Sequence, residues 1–356
     1  MNNIKKMISI IGAGHQGIAM AAHFAMNGER VALWNRTPEN IKDIKKTKVI
    51  KCKGVINGKA NIERVSSEIC EVISDIIFVT TPSFAHRDVA RVIAPFLKDN
   101  SVIFLNPGRT FGAIEFLREL QKNNCRYVPT VVETQSIVYT CRRLGSDEVC
   151  IYALKGNVPM AVLGKENIDS IVKQVPECIR KNFKLVKNVL DTSMGNVGMI
   201  LHCAPVLLNV GWIECEKYNF KYYYDGITPS IGAMIDRMDN ERVQVARAMG
   251  VEAFTLVEWF RDVYNVEGDT IYECIQNNEY YRKIDAPHSL KHRYIDEDVP
   301  NGLVPIEFLG KELNINTEII SLVITLAEKL CNKNYREIGR KYTKAEISNY
   351  IDLHYE

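Results

Sequence analysis

Two hydrophobic rhythms follow one another along the chain. Met7 to Ile11 is a short apolar run, and Ile18 to Asn27 then places Ile18, Ala21, Ala22 and Ala25 at helical spacing. Asn27-Gly28 stops that helix, and Arg30 to Trp34 returns as a second strand. Further runs follow at Asp75 to Thr80 and Ser101 to Leu105, while Val55 to Ala60 holds an Asn57-Gly58 hairpin signal. Cys150 to Leu154 and Met160 to Leu163 are expected to finish the same sheet. From Leu190 onward the period is helical: Leu190 to Glu214 reads as one long helix with an interior Pro205, and Gly232 to Gly250 as a second. His292 to Pro305, rich in charge, Pro and Gly, is not expected to be a helix, and taken by itself is open to reading as just a surface loop. Strands alternating with helices, then helices alone, predict an α/β fold with a doubly wound sheet over residues 1–185 and an all-helical domain over 186–356.

The first strand runs into Gly12-Ala13-Gly14-His15-Gln16-Gly17, a G-x-G-x-x-G string lying between a strand and a helix. Gly12 permits the tight turn, Gly14 lets the backbone approach a pyrophosphate, and Gly17 lets the helix lie close to the strand. The N–H groups of the first helical turn, with His15 and Gln16, then face phosphate. This is the cradle of a Rossmann-type, nicotinamide dinucleotide-binding domain. The second strand ends in Asn35-Arg36-Thr37, where an NAD-specific site usually carries a carboxylate for the ribose 2′-hydroxyl. An arginine between two hydrogen-bonding side chains suits a 2′-phosphate, so NADP(H) is favoured over NAD(H). The alternative is an Arg36 that stacks on adenine and tolerates either cofactor. Ligands of doubly wound sheets sit beyond the carboxyl ends of the strands, which directs Thr80-Thr81-Pro82-Ser83 and Asn106 to Arg109 toward cofactor and substrate. Arg109 and Thr110, near a helix N-terminus, would suit a carboxylate.

Composition acts mainly by exclusion. A length of 356 residues suits two cores, and 25% charged residues with a formal charge of +2 give no field that would attract nucleic acid or anionic lipid. The ten cysteines fall in no zinc-ligand spacing, so no metal site is expected and the thiols read as buried groups in a reducing compartment, the cytoplasm by default. No apolar run approaches a membrane span, and no signal-peptide core precedes the first strand.

In the helical half, Gly195, His202 and Asn209 recur at intervals of seven and so share one face, beside Gly198. A buried histidine is more often a core residue than a catalyst; the polar stripe and the break at Pro205 single out His202. The charges Asp239, Glu241, Arg242 and Arg247 read as structural pairs.

Taken together, the glycine string, Thr80-Thr81-Pro82-Ser83-Phe84-Ala85-His86, Asn196 with His202-Cys203-Ala204-Pro205-Val206-Leu207-Leu208-Asn209, Asp239-Asn240-Glu241-Arg242, and Arg293-Tyr294-Ile295-Asp296-Glu297-Asp298-Val299-Pro300 resemble the octopine/nopaline (opine) dehydrogenase family over nearly the whole chain. The resemblance implies an NAD(P)H-dependent reductive condensation, in which an amino acid amine and a 2-oxo acid such as pyruvate form an imine that is reduced to a secondary-amine dicarboxylate. It implies a Rossmann domain and a helical domain with the substrates between them. It also implies that His202 is the acid/base, Asp298 its carboxylate partner, and Arg293 a ligand of a substrate carboxylate, with Thr134, Asn196 and Asn209 as further substrate contacts; Arg109, a substrate candidate by its loop position, departs from the neutral polar residue of some members and points to a different acid substrate. A homodimer is left open. The rivals are a reductase of the ketopantoate or glycerol-3-phosphate type, whose central acid/base is a lysine that the Leu190 to Glu214 stripe does not offer, and a dinucleotide-binding sensor without chemistry.

Overall fold

The first apolar run becomes an interior strand of a parallel sheet, flanked on both sides. The computed structural model describes residues 5–163, 168–217 and 219–355, with side chains as far as residue 351. Its strands are β1 Met7–Ile11, β2 Arg30–Trp34, β3 Val49–Gly54, β4 Gly58–Asn61, β5 Arg64–Ser66, β6 Ile76–Val79, β7 Val102–Leu105, β8 Thr130–Thr134, β9 Tyr139–Arg143, β10 Glu148–Leu154, β11 Val158–Leu163 and β12 Phe183–Leu185. Eight form the main sheet in the order β12-β11-β8-β7-β6-β1-β2-β5. It is parallel except where β11 meets β8. The strand order reverses direction at β1, which pairs with β2 on one side and β6 on the other, so a crevice opens beyond the carboxyl ends of β1 and β6.

Cys150 to Leu154 does not finish this sheet, contrary to the sequence expectation. Its strand, β10, belongs to a second sheet of order β4-β3-β10-β9, in which β10 runs parallel to β3 and antiparallel to β9. The Asn57-Gly58 signal marks the β3–β4 hairpin of that sheet. The first helix, α1 (His15–Met26), packs against β2 on one side and against β9 and β4 on the other. That explains why every residue from Gln16 to Phe24 is buried, rather than one apolar stripe.

The chain divides into two compact units, Met1–Thr192 with Tyr350–Glu356, and Ser193–Asn349. The second is helical. The Leu190 to Glu214 stretch is not one helix but three, Val189–Met194, Gly198–Leu208 and Val210–Ile213. Pro205 lies inside the middle helix without ending it, and the nearby His202 carbonyl accepts a hydrogen bond from the Tyr222 hydroxyl at 2.6 Å. Gly195 precedes that helix and Asn209 is its C-cap, donating from Nδ2 to the Pro205 carbonyl at 2.8 Å. The seven-residue stripe therefore marks the two ends of a helix, with only His202 in its body.

His292 to Pro305 is not a surface loop either. Arg293–Asp296 is one helical turn, Val299–Leu303 a π-helical segment and Val304–Glu312 an α-helix, and the residues from Glu297 to Ile306 are buried. The helical backbone runs on from Asp298 through both prolines, and the π-helical turn over Val299–Leu303 is where it accommodates them. Gly302 is needed for contact: a Cβ there would lie 2.7 Å from the Met199 Cβ.

Of the charges on the Pro229–Ala248 helix, Asp239 and Arg242 form a structural pair, while Glu241 binds backbone amides. Fully buried Arg242 binds Asp239, the Met194 carbonyl at 2.7 Å and the Phe254 carbonyl at 2.7 Å. Glu241 accepts from the Ile319 and Ile320 amides, both at 2.9 Å, at the start of the Glu318–Cys331 helix. Among the described residues no helix is long and apolar enough to cross a membrane.

Candidate active site

The β1–α1 turn, the ends of β2 and β6, and the end of β9 surround a cavity of about 380 Å³ in the first unit. Gly12, Gly14, His15, Asn35, Thr80, Thr81 and Pro82 line it. Steric demand explains the glycines. A Cβ on Gly17 would lie 1.8 Å from the Gly12 carbonyl oxygen, so no other residue lets α1 begin so near β1. Gly12 has φ +110°, and Gly14 would meet nothing within 4 Å, leaving bare backbone facing open space. Such a cradle, glycine backbone at a helix N-terminus with hydroxyls of Thr80 and Thr81 beside it, fits a dinucleotide pyrophosphate. Thr80 also braces the turn, donating from Oγ1 to the Ile11 and Gly12 carbonyls at 3.1 Å.

At the ribose end, Asn35 accepts the Ala13 amide on Oδ1 at 3.0 Å and donates to the Thr37 carbonyl. Arg36 is 74% exposed and pairs loosely with Asp88 at 3.4 Å. Gln16 lies buried and donates to the side chain and carbonyl of Asn106, tying the cradle to the loop beyond β7. In that loop Arg109 is buried rather than solvated. It and Phe111 adopt φ of 65° and 58°, left-handed positions that cost non-glycine residues of order 1–3 kcal/mol each and cluster at functional sites. Thr134, on β8, is fully buried, with its hydroxyl near the Leu105 and Ser136 carbonyls. Its neighbour Glu133 accepts the Ala113 amide at 2.8 Å and the Thr192 hydroxyl at 2.5 Å.

In the second unit, the Gly198–Leu208 helix and the Arg293–Leu303 segment bring His202 and Asp298 together across 96 residues: His202 Nδ1 lies 2.7 Å from Asp298 Oδ2. The aspartate side chain is fully buried and the histidine 13% exposed. The Tyr294 ring stacks on the imidazole, with centroids 3.9 Å apart and planes at 15°. The Arg293 guanidinium stands over the opposite partner of that stack, 5.4 Å from the Tyr294 centroid, and 3.7 Å from Glu297. Asn196 is buried nearby in sequence, before the same helix. Asn209 uses its amide nitrogen on the Pro205 and Gly226 carbonyls, both at 2.8 Å, which makes it a cap within the fold.

The first unit carries a dinucleotide cradle and the second a histidine–carboxylate pair. The α-helical domain of NAD/NADP octopine/nopaline dehydrogenase matches residues 185–331, and the N-terminus of NAD-dependent glycerol-3-phosphate dehydrogenase matches residues 7–132. An opine dehydrogenase of Arthrobacter sp. (strain 1C) is 34% identical over 347 residues, 96% of each chain. The chain belongs to the octopine/nopaline (opine) dehydrogenase family. It is thus an NAD(P)-dependent oxidoreductase. A more distant member, the D-nopaline dehydrogenase of Agrobacterium tumefaciens (strain T37), is 23% identical over 82% of this chain and 78% of its own. The fold is that of octopine dehydrogenase solved with NADH and L-arginine, with a TM-score of 0.78 at 16% identity over 93% of this chain and 91% of that one. It is also that of an NADP+-bound yersinopine dehydrogenase, with a TM-score of 0.76 at 14% identity over 100% and 95%.

Three residues beside the candidate residues escaped the sequence reading. Tyr294 stood inside a quoted string without a role, and only the stack reveals it. Glu133 gave no signal, because a buried carboxylate at a helix start looks like any strand glutamate. Arg143, which lines the cofactor cavity from β9, came from a sheet the hydrophobic pattern did not predict.

Proposed function

We propose that this protein joins the amine of an amino acid to a 2-oxo acid and reduces the resulting imine to a secondary-amine dicarboxylate. The observation that carries the reading is the His202–Asp298 hydrogen bond at 2.7 Å, inside the strings that carry the family resemblance. The bound nicotinamide supplies the hydride; the proton balance falls to the protein. With Nδ1 taken by Asp298, proton exchange belongs to His202 Nε2. There it takes a proton from the attacking amine and gives one to the departing hydroxyl, so that the carbonyl oxygen leaves as water. Asp298 fixes the tautomer and favours the imidazolium between these steps. Arg293 holds a substrate carboxylate through two parallel hydrogen bonds, setting the imine carbon in place. Arg109, Thr134, Asn196 and Asn209 remain candidates for further substrate contact; the first is the best placed electrostatically, and Asn209 the most committed to its own helix.

NADP(H) is the preferred cofactor in this reading, because Asn35-Arg36-Thr37 offers a guanidinium and no carboxylate where the 2′ group lies. The Arg36–Asp88 pair is too exposed and too long to compete seriously with a phosphate. The test is NADPH consumption with amino acids crossed against pyruvate, oxaloacetate and 2-oxoglutarate. Turnover that requires both an amine and a 2-oxo acid supports the reading. NADPH binding without turnover in any combination would make the protein a sensor instead.

A further inference from the structure

Arg143 ends β9 and lines the cofactor cavity. Nε donates to the Gly145 carbonyl at 2.8 Å, Nη1 to the Ala13 carbonyl at 2.9 Å, and Nη2 to the Asn40 and Ser146 carbonyls at 2.7 Å each. Its backbone amide donates to His15 Nδ1 at 2.9 Å. One planar side chain thereby ties three segments distant in sequence: the glycine turn, the helical turn after β2, and the β9–β10 hairpin. The Ala13 residue is gripped twice, since its amide is held by Asn35 and its carbonyl by Arg143. A trans peptide points the N–H of the next residue opposite to the carbonyl. Holding the Ala13 carbonyl toward Arg143 therefore turns the Gly14 N–H away from it and fixes its direction in the bare part of the cradle.

We propose that Arg143 is a positioning residue for the dinucleotide, making the second sheet a working part of the cofactor site. The proposal rests on the cavity being the dinucleotide cradle, and is independent of which cofactor is preferred. It follows from preorganisation: donors held in place before binding cost no ordering on binding. Lysine cannot replace it, because an ammonium is a point charge with three donors and no fork to span four carbonyls.

The experiment is calorimetric titration of the full-length protein, wild type, Arg143→Lys and Arg143→Met, with ADP and with 2′,5′-ADP. Both variants should bind both nucleotides about tenfold more weakly, at an unchanged ratio between the two. The KM for the cofactor should rise in step while kcat at saturating cofactor stays within about twofold. Hydrogen exchange of the free protein should quicken in peptides covering residues 12–17 and 38–41, a readout available even where binding becomes too weak to measure. Unchanged affinity and exchange in Arg143→Lys would overturn the proposal, as would a loss confined to 2′,5′-ADP, which would mean direct contact with the extra phosphate. A wild type that binds ADP as tightly as 2′,5′-ADP would instead defeat the NADP(H) preference and leave the Arg143 argument standing.

Discussion

His202 is a residue whose two readings predict different things. As acid/base, His202→Ala should lower kcat by roughly 10² to 10⁴, the usual worth of positioned proton transfer. Asp298→Asn should lower it less, because the amide can still accept or donate one hydrogen bond while losing the charge that favours the imidazolium. As a core histidine, its loss would show chiefly in the melting temperature, with activity surviving in whatever stays folded. Steady-state kinetics beside thermal melts separates the two. A variant with near-normal kcat and a lowered melting temperature would remove His202 from the mechanism. Arg36 makes the matching case in the first unit. Its side chain is exposed and weakly paired, so Arg36→Ala should barely alter stability, yet raise the KM for NADPH much more than that for NADH. A kcat/KM at least as good with NADH as with NADPH in the wild type would refute the preference outright.

Elements are held by a few buried polar contacts whose loss should be felt in stability rather than catalysis. Arg242 joins the Pro229–Ala248 helix to the Met194 and Phe254 carbonyls and is itself neutralised by Asp239. Removing one member of a buried pair strands the other, so Arg242→Met should cost about 3–5 kcal/mol, read as a lower denaturant midpoint. A loss under about 1 kcal/mol would show that the pair is not essential to the helix. The contact between α1 and β9 carries a pH signature: His23 Nδ1 lies 3.0 Å from the Tyr139 hydroxyl, and burial pulls the imidazole below its ordinary value of 6.5. In the window just below 6.5 the unfolded chain takes up a proton that the native protein refuses. Stability from this group is therefore intact above 6.5 and falls as the pH drops toward the depressed native value. His23→Gln should flatten the urea midpoint across that window, and a wild-type midpoint already flat there would dispose of the argument.

Across the whole molecule, what could be read in the sequence is what local sterics dictate. Gly12 and Gly17 announce the cradle because nothing larger fits beside the Gly12 carbonyl, and His202 and Asp298 stood in strings with the spacing of a known family. Non-local pairing stayed hidden. β10 runs parallel to β3, nearly a hundred residues earlier, and no period in either strand says so; Arg143 was lost with them. Pro300 and Pro305 misled because a π-helical turn lets a helical backbone run through both prolines. The structure also separates the groups by unit: the cradle residues, Arg36 and Arg143 belong to the first, and His202, Arg293 and Asp298 to the second. This division makes the last prediction. A ligand that binds only the native state stabilises it by RT ln(1 + [L]/Kd), about 2.7 kcal/mol at a hundredfold excess over Kd. NADPH should therefore raise the calorimetric transition that contains the first unit, and His202→Ala, a change in the second unit, should leave that rise intact. The same titration on Arg143→Met should show about half of the rise gone at equal NADPH, because tenfold weaker binding lowers the stabilisation from about 2.7 to about 1.4 kcal/mol. If His202→Ala halves the NADPH-induced stabilisation, cofactor binding leans on the histidine, and the assignment of hydride delivery to one unit and proton exchange to the other fails.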